Sequence, residues 1–293
     1  ALGMADEEVR KQNWAGKVPI RLSLASEEVT TLEPPLPFYV MAPRNSYLPL
    51  VLAQARTHFQ SSMPVTASEN DLWLEFQGVP LKWHLPTGML YDMLASHIDI
   101  PWNLTVHFQN FPDSVVMRLL SEEAMRSRFF HTMKEATCVR CGSTKRVNSL
   151  SVADTNQLWE AVKNHDFDGY WRVNNKIMFG TQSGSEVRSV PIRVHVGGVA
   201  TPMQFSLPAP GLIGHAFAPT TTTDEEATLG VALQTMLPDL FPSGSALADE
   251  APVLIQGIRP PLQTPLLWLA DNLASIDNFL YFYVPSGSGG PRQ

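Results

Sequence analysis

The chain has 293 residues, a length that favours about two domains. Lys and Arg number 21 against 28 Asp and Glu, and the net charge of −7 argues against a general nucleic-acid-binding protein. Hydrophobic residues make up 44% of the chain, which excludes wholesale disorder. Two cysteines cannot build a disulfide framework, and no apolar run approaches the roughly 18–20 residues of a membrane span, so we expect a cytoplasmic protein.

Short motifs recur in the same order in two parts of the chain, which indicates a duplicated module. Each part has Val-Pro-Ile-Arg near its start, then Gln-Gly, then a proline eight residues after that glycine, then Leu-Ala-Ser, and then a closing apolar strand. The first part holds these motifs at residues 18–21, 77–78, 86, 94–96 and 103–108, and the second part at residues 190–193, 256–257, 265, 273–275 and 278–283.

Both parts predict the same elements in chain order. Two short strands come first, followed by a helix whose predicted N-cap is Ser46 in the first part and Thr228 in the second. A strand, a glycine turn, a short helix that begins after a proline and a last strand complete each part. This is the order of a ubiquitin-like β-grasp module, and another small α+β fold with the same order is the alternative.

Residues 110–180, between the two parts, change to helical periodicity. Ser121, Asp154 and Asp166 are predicted to begin three helices there. The expected class is α+β, with two ubiquitin-like β-grasp modules flanking a helix-rich domain. The expected divisions are an N-terminal helix (5–13), a first module (14–109), the helix-rich domain (110–180), a second module (188–285) and a flexible tail (286–293).

The sequence lacks the common enzyme motifs, such as a Gly-x4-Gly-Lys phosphate loop or a Gly-x-Ser-x-Gly elbow. Cys138 and Cys141 form a CxxC pair within residues 138–146, a segment that we predict to be a loop. A structural zinc site needs about four ligands, and no second cysteine pair exists. We expect no metal and no cofactor, with a metal or redox role of the two thiols as the alternative.

The segment of residues 126–146 is strongly basic in an acidic chain, with six basic residues against one acidic residue, Glu135. An acidic partner or an anionic membrane surface would explain this excess, and a solvated helix face explains it equally well. Besides Lys134, the basic residues of this candidate patch are Arg126, Arg128, Arg140, Lys145 and Arg146.

Several of the motifs resemble the autophagy protein 5 family, across both parts and the insert. The longest begins at Lys82-Trp83 and continues through Pro86, Gly88 and Asp92 to the strand that ends at Phe108. Shorter matches are Met-Lys-Glu-Ala at 133–136, Gln-Leu-Trp at 157–159 and the segments 256–258 and 264–268. The segment 138–146 matches no motif of the family, so the resemblance implies no role for its cysteines.

The resemblance implies a non-catalytic acceptor rather than an enzyme. In this family, the lysine of the Met-Lys-Glu-Ala motif is joined by an isopeptide bond to the C-terminal glycine of the ubiquitin-like modifier autophagy protein 12, and here that lysine is Lys134. The conjugate binds a helix of autophagy protein 16. It acts like an E3 ligase, stimulating autophagy protein 3 to transfer autophagy protein 8 to phosphatidylethanolamine in autophagosome formation.

The resemblance further implies a cytoplasmic protein that is recruited peripherally to the preautophagosomal membrane. No nucleic-acid partner is expected. A ubiquitin-like adaptor that carries no covalent partner is the remaining alternative.

Overall fold

The computed structural model describes residues 2–66, 71–95, 100–119, 121–180, 187–199, 201–208, 227–242 and 253–285. The predicted tail, 286–293, lies outside the described residues. The chain divides into two compact units. One unit comprises Trp14–Phe129 and Val162–His165, and the other comprises Ala1–Asn13, Phe130–Ala161 and Asp166–Gln293.

The first module is a five-stranded sheet in which the first strand pairs in parallel with the last. Its strands have the order β2-β1-β5-β3-β4. The side chains of β1 alternate, and Val18, Ile20 and Leu22 point into the core while the residues between them face outward. The elements are β1 (Lys17–Leu24), a 3-10 turn (Ser26–Glu28), β2 (Phe38–Pro43), α2 (Leu48–Phe59), β3 (Trp73–Phe76), β4 (Val79–Pro80), α3 (Thr87–Leu94) and β5 (Trp102–His107).

The second module repeats this arrangement, and its described residues form a three-stranded sheet of order β7-β6-β8, in which β6 again pairs in parallel with the last strand. Bridges at Leu254 and Ile255 stand where the first module has β3 and β4. The core contains buried residues of both helices and of β6 and β8, such as Val194, Leu233 and Phe282. The elements are β6 (Ser189–Val196), β7 (Met203–Pro208), α8 (Leu229–Met236), α9 (Leu266–Leu273) and β8 (Leu280–Val284).

The repeated Gln-Gly motif forms the same turn in both modules. Gln77 and Gly78 have φ values of 51° and 81°, and Gln256 and Gly257 have 52° and 80°. Two consecutive residues with positive φ between paired strands are the signature of a type I′ hairpin turn. The expected ubiquitin-like β-grasp order is therefore confirmed down to the conformation of this turn.

The predicted N-caps of the module helices differ in outcome. The Thr228 side chain accepts a hydrogen bond from the Val231 amide, so this cap is confirmed. The Ser46 prediction is wrong, because α2 begins at Leu48 after Tyr47, without a side-chain cap. The Ser46 carbonyl instead accepts hydrogen bonds from the amide and hydroxyl of Thr87, at 2.8 and 3.0 Å.

Along the chain between the two modules, the described residues form four helices: α4 (Glu122–Cys141), α5 (Lys145–Asn148), α6 (Val152–Asn164) and α7 (Phe167–Met178). The side chains of Ser121 and Asp166 accept hydrogen bonds from amides three residues further on, as predicted for residues that begin helices. The prediction that Asp154 begins a helix is wrong. Helix α6 begins at Val152, and the Ser151 hydroxyl accepts a hydrogen bond from the Asp154 amide.

Helix α1 (Leu2–Ala15) precedes the first module. The Asp6 carboxylate accepts a hydrogen bond from the indole N–H of Trp268 at 3.0 Å, and the Asn13 amide group donates to the carbonyl of Asn272 at 3.4 Å. Val9 packs against the core of the second module. No helix among the described residues is long and apolar enough to cross a membrane.

A stacked aromatic pair lies in the first unit. The rings of Trp14 and His165 have centroids 4.9 Å apart with an angle of 12° between their planes, and the indole N–H of Trp14 donates to the His165 carbonyl. Burial lowers the pKa of His165 below its usual value of 6.5, and the nearby charge of Lys17 acts in the same direction.

The stacked pair predicts a pH dependence of stability. Because folding lowers the pKa of His165, the unfolded chain takes up its proton first, and the free energy of unfolding should fall as the pH drops below about 6.5. The loss should be complete once the pH is below the pKa of the folded state. His165→Asn should reduce this pH dependence, since Asn tolerates the positive φ of 54° at this position. Urea denaturation midpoints of wild type and His165→Asn, recorded between about pH 7.5 and 5, would measure this pH dependence. Midpoints that change in parallel with pH in the two proteins would contradict the role of His165.

Candidate functional site

Lys134 lies on α4 in a turn whose other side chains are largely buried. Met133 and Ala136 have no exposed surface, and Thr137 is 2% exposed. The hydroxyl of Thr137 donates to the Met133 carbonyl at 2.7 Å. Lys134 itself is half-buried. Since the apolar residues of this turn are fixed by packing, the base of the Lys134 side chain has a defined position.

Lys134 and Glu135 differ in their polar contacts. Within the described part of the chain, the side chain of Lys134 makes no hydrogen bond or ion pair. The Glu135 carboxylate, one residue further, lies 2.7 Å from the Arg193 guanidinium on β6. The amine of Lys134 is therefore held by no acid among these residues, while its neighbour connects α4 to the second module.

Arg193 is itself held by a set of buried groups. One of its nitrogens donates to the Tyr281 hydroxyl at 3.2 Å, and its guanidinium lies 3.8 Å from the centroid of the Phe279 ring. The Tyr281 hydroxyl donates to the Asp277 carboxylate at 2.8 Å. Burial opposes the charged form of Arg193, but the acidic groups of Tyr281, Asp277 and Glu135 raise its pKa overall. Burial also raises the pKa of Asp277.

A second ion pair connects the end of α4 to α9. The Arg140 guanidinium lies 2.6 Å from the Asp271 carboxylate, and the two side chains are 3% and 26% exposed. The Arg140 carbonyl accepts a hydrogen bond from the Arg188 amide at 2.8 Å. Burial raises the pKa of Asp271, although Arg140 acts in the opposite direction.

The basic residues predicted as a surface patch occupy different environments. Arg140 is buried in its ion pair, and Arg146 donates to the carbonyls of the last two residues of α7, both at 2.9 Å. Arg126 and Arg128 are half-buried, whereas Lys145 is exposed. The high count of positive charges in this segment therefore includes two guanidinium groups that serve the interior contacts of the protein.

Cys138 and Cys141 lie on the last turn of α4 rather than in the predicted loop, because the helix continues to Cys141. Both are free thiols, with Cys138 exposed and Cys141 half-buried. Among the residues that the structure describes, no group of three or more His, Cys, Asp or Glu side chains is arranged to hold a metal ion.

Sequence reasoning missed the contacts that hold α4. Arg193 belongs to the repeated Val-Pro-Ile-Arg motif, and it is half-buried on β6. Its partner Glu135 is 58 positions away along the chain, and no local pattern joins the two. The repeated motif thus drew attention to Arg193, but it gave no indication that Arg193 pairs with Glu135.

Two ubiquitin-like modules with a helical bundle between them along the chain define a protein built on paired β-grasp folds. Family models of autophagy protein ATG5 match its UblA domain at residues 13–108, its alpha-helical bundle region at 122–180 and its UblB domain at 189–284. The chain belongs to the autophagy protein 5 family, and a role in autophagy follows from this membership.

Relatives match over nearly the whole chain. Autophagy protein 5 of Aspergillus clavatus is 34% identical over 94% of this chain and 96% of its own length. Autophagy protein 5 of Oryza sativa subsp. indica is 29% identical over 96% of this chain and 94% of its own. The crystal structure of Kluyveromyces marxianus Atg5 has the same fold, with a TM-score of 0.77 and 22% identity over 95% of this chain and 99% of that one.

Proposed function

We propose that this chain is the acceptor of the ubiquitin-like modifier autophagy protein 12, which is joined through its C-terminal glycine to Lys134. The conjugate binds a helix of autophagy protein 16. It promotes the transfer of autophagy protein 8 from autophagy protein 3 to phosphatidylethanolamine, as an E3 ligase would. The chain supplies an amine and binding surfaces, and the activated thioester comes from other enzymes, so it is not itself a catalyst.

The Met-Lys-Glu-Ala motif of an established family carries the choice of Lys134, and the surroundings of the Lys134 amine support it. That amine has no acidic partner within the described part of the chain, while Lys163 and Lys176 are each paired with a carboxylate, at 2.7 and 2.8 Å. An acceptor amine must lose its proton and attack a thioester carbonyl, and a carboxylate bound to the ammonium would oppose that loss.

A reconstituted conjugation tests the proposal. Wild type, autophagy protein 12 and its activating and transferring enzymes should give a product larger by one modifier, and Lys134→Arg should give none. Arginine keeps the charge and the length of the side chain but cannot form the amide at ordinary pH. The product would be followed by gel shift, and its linkage would be located by mass spectrometry.

The matched control is Lys145→Arg, an exposed lysine of the same basic segment. It should be conjugated at the wild-type rate. Conjugation of Lys134→Arg would show that another lysine is the acceptor. If wild type is not conjugated by enzymes that are active on a second acceptor, the proposal of a covalent partner fails.

We propose a cytoplasmic location with peripheral recruitment to the preautophagosomal membrane. Of the basic residues in the candidate patch, Lys145 is exposed, whereas Arg140 and Arg146 are used in internal contacts. Direct attraction to anionic lipid would therefore be modest and sensitive to salt. Flotation with anionic vesicles at low and high salt would measure it, and flotation that depends on neither lipid charge nor salt would contradict the electrostatic part of the proposal.

A further inference from the structure

The reaction proposed for Lys134 depends on where its amine is held. The amine attacks the thioester carbonyl of the charged transfer enzyme, the C–N bond forms, the C–S bond breaks, and the thiol leaves with the proton that the amine gives up. Reacting atoms must come within about 3–3.5 Å in the correct orientation, and small displacements of one reactant lower the rate strongly. A group that fixes the rotation of α4 therefore affects the reaction without touching it.

We propose that Arg193 is a positioning residue for conjugation, because its ion pair with Glu135 adds to the packing of Met133 and Ala136 in fixing the turn of α4 that presents Lys134. This inference rests on the proposed function of Lys134. Glu135 follows Lys134 directly, and consecutive residues are rotated by about 100° around a helix axis. Holding the Glu135 carboxylate on β6 thus sets the direction in which the Lys134 side chain leaves the helix.

The size of the effect follows from helix geometry. Side chains extend about 5–6 Å from the axis, so a rotation of α4 by about 20° would move the amine by about 2 Å. Such a displacement is large against the attack distance of about 3–3.5 Å. The Arg140–Asp271 pair connects α4 to α9 more than one turn away, so it restrains the end of the helix rather than the turn of Lys134.

Arg193 is suited to this task because its own position is fixed. Its guanidinium contacts the Tyr281 hydroxyl, the Phe279 ring and the Gln204 side chain, at 3.2, 3.8 and 3.3 Å. The guanidinium of Arg193 is therefore already oriented for its ion pair with Glu135, and it lies over one face of the Phe279 ring. Its side chain is 13% exposed, while that of Glu135 is 50% exposed.

The duplication supplies a matched control. Arg21 occupies the same place in the first Val-Pro-Ile-Arg motif as Arg193 does in the second, and each faces a residue of the last strand in the parallel register, Asn103 and Tyr281. Arg21 donates to the Asn103 side chain at 3.3 Å and has no carboxylate partner among the described residues. Arg21→Met thus removes an equivalent arginine without releasing the acceptor helix.

The experiment is a single-turnover transfer of autophagy protein 12 from its charged transfer enzyme to the full chain. Arg193→Met and Glu135→Gln should each lower the maximal rate about tenfold, with little change in the acceptor concentration that gives half of that rate. Arg193→Lys keeps the charge and should recover part of the loss, and Arg21→Met should react like wild type. Thermal unfolding of each variant would be recorded. If Arg193→Met does not fold, Glu135→Gln alone is used for the test, since the Glu135 side chain is half-exposed and its replacement should leave the fold intact.

A second measurement distinguishes a change in the position of the Lys134 amine from a change in its chemical reactivity. Acetylation of Lys134 by a small N-hydroxysuccinimide ester, measured by mass spectrometry, needs no alignment and should be unchanged in Arg193→Met and Glu135→Gln. A parallel fall in acetylation, a normal transfer rate in both variants, or an equal fall in Arg21→Met would each overturn the inference. These outcomes differ from failure of the proposed function, in which wild type is not conjugated or Lys134→Arg still is.

Discussion

Arg140→Met is expected to lower the free energy of unfolding by about 3 kcal/mol, at the lower end of the range for breaking a buried ion pair. Arg140 is 2% exposed, and methionine fills most of its volume without its charge. The Asp271 carboxylate, 2.6 Å away in wild type, would then stay largely buried with only the weaker effect of the Arg10 charge to compensate it. The measurement is urea denaturation followed by far-ultraviolet circular dichroism.

The loss in Arg140→Met should shrink as the pH falls. Burial already raises the pKa of Asp271, and removing Arg140 takes away the larger of the two positive charges that oppose this rise, the other being that of Arg10. A carboxyl whose pKa is higher in the folded than in the unfolded state stabilises the fold below its unfolded pKa and loses that contribution as the pH rises through the folded pKa. The deficit against wild type should therefore be smaller at about pH 5 than at about pH 7.5.

Two variants test the assignment of this loss to an unpaired charge. Arg140→Met combined with Asp271→Asn should cost less than the sum of the two single changes, since the neutral amide removes the buried charge. Lys145→Met, at an exposed position nearby in the chain, should stay within about 0.5 kcal/mol of wild type. If the double variant loses as much free energy of unfolding as the two single variants together, the ion-pair explanation is contradicted.

Trp83→Ala is expected to cost about 3–5 kcal/mol, the range for removing a large aromatic side chain from a core. Trp83 has no exposed surface, and its ring lies 6.1 Å from that of Phe111, measured between centroids. Its indole N–H donates to the Met117 carbonyl at 2.7 Å. The side chain therefore combines apolar packing with a hydrogen bond that joins the first module to the segment after its last strand.

Trp83→Phe separates these two contributions. Phenylalanine keeps much of the packing but cannot donate to the Met117 carbonyl, so we expect a loss of about 1–3 kcal/mol. Leu32→Ala, at a fully exposed side chain, serves as the control and should be nearly neutral. A free energy of unfolding of Trp83→Ala within about 0.5 kcal/mol of wild type, the usual range for surface substitutions, would contradict the structural role of the indole.

The modules could be predicted because their signals are local and repeated. The Gln-Gly pairs are adjacent residues, and both form type I′ turns, so one short motif indicated the same hairpin twice. Thr228 and Asp166 followed the capping rule for the same reason. Ser46 did not, since its carbonyl is bound to Thr87, a residue that lies far from it in the sequence.

The surroundings of the candidate acceptor could not be predicted in the same way. A count of basic residues gives the sign of the net charge of a segment but not the burial of each charged group. The sequence therefore indicated a surface position for Arg140, whereas the structure shows it buried in an ion pair with Asp271. The extension of α4 to Cys141 was missed because Cys, Val and Thr are weak helix formers. Here buried side chains such as Met133 and Thr137 outweigh that weak preference.

The contacts of α1 have a consequence for the order in which the chain folds during synthesis. Asp6 and Asn13 contact Trp268 and Asn272, which lie 262 and 259 positions further along the chain. A helix of 14 residues is marginal in water without packing partners. As a ribosome extends the chain in the N-to-C direction, α1 must wait for about 260 further residues before its docking surface exists. The segment that is translated before either module is thus among the last to reach its final contacts.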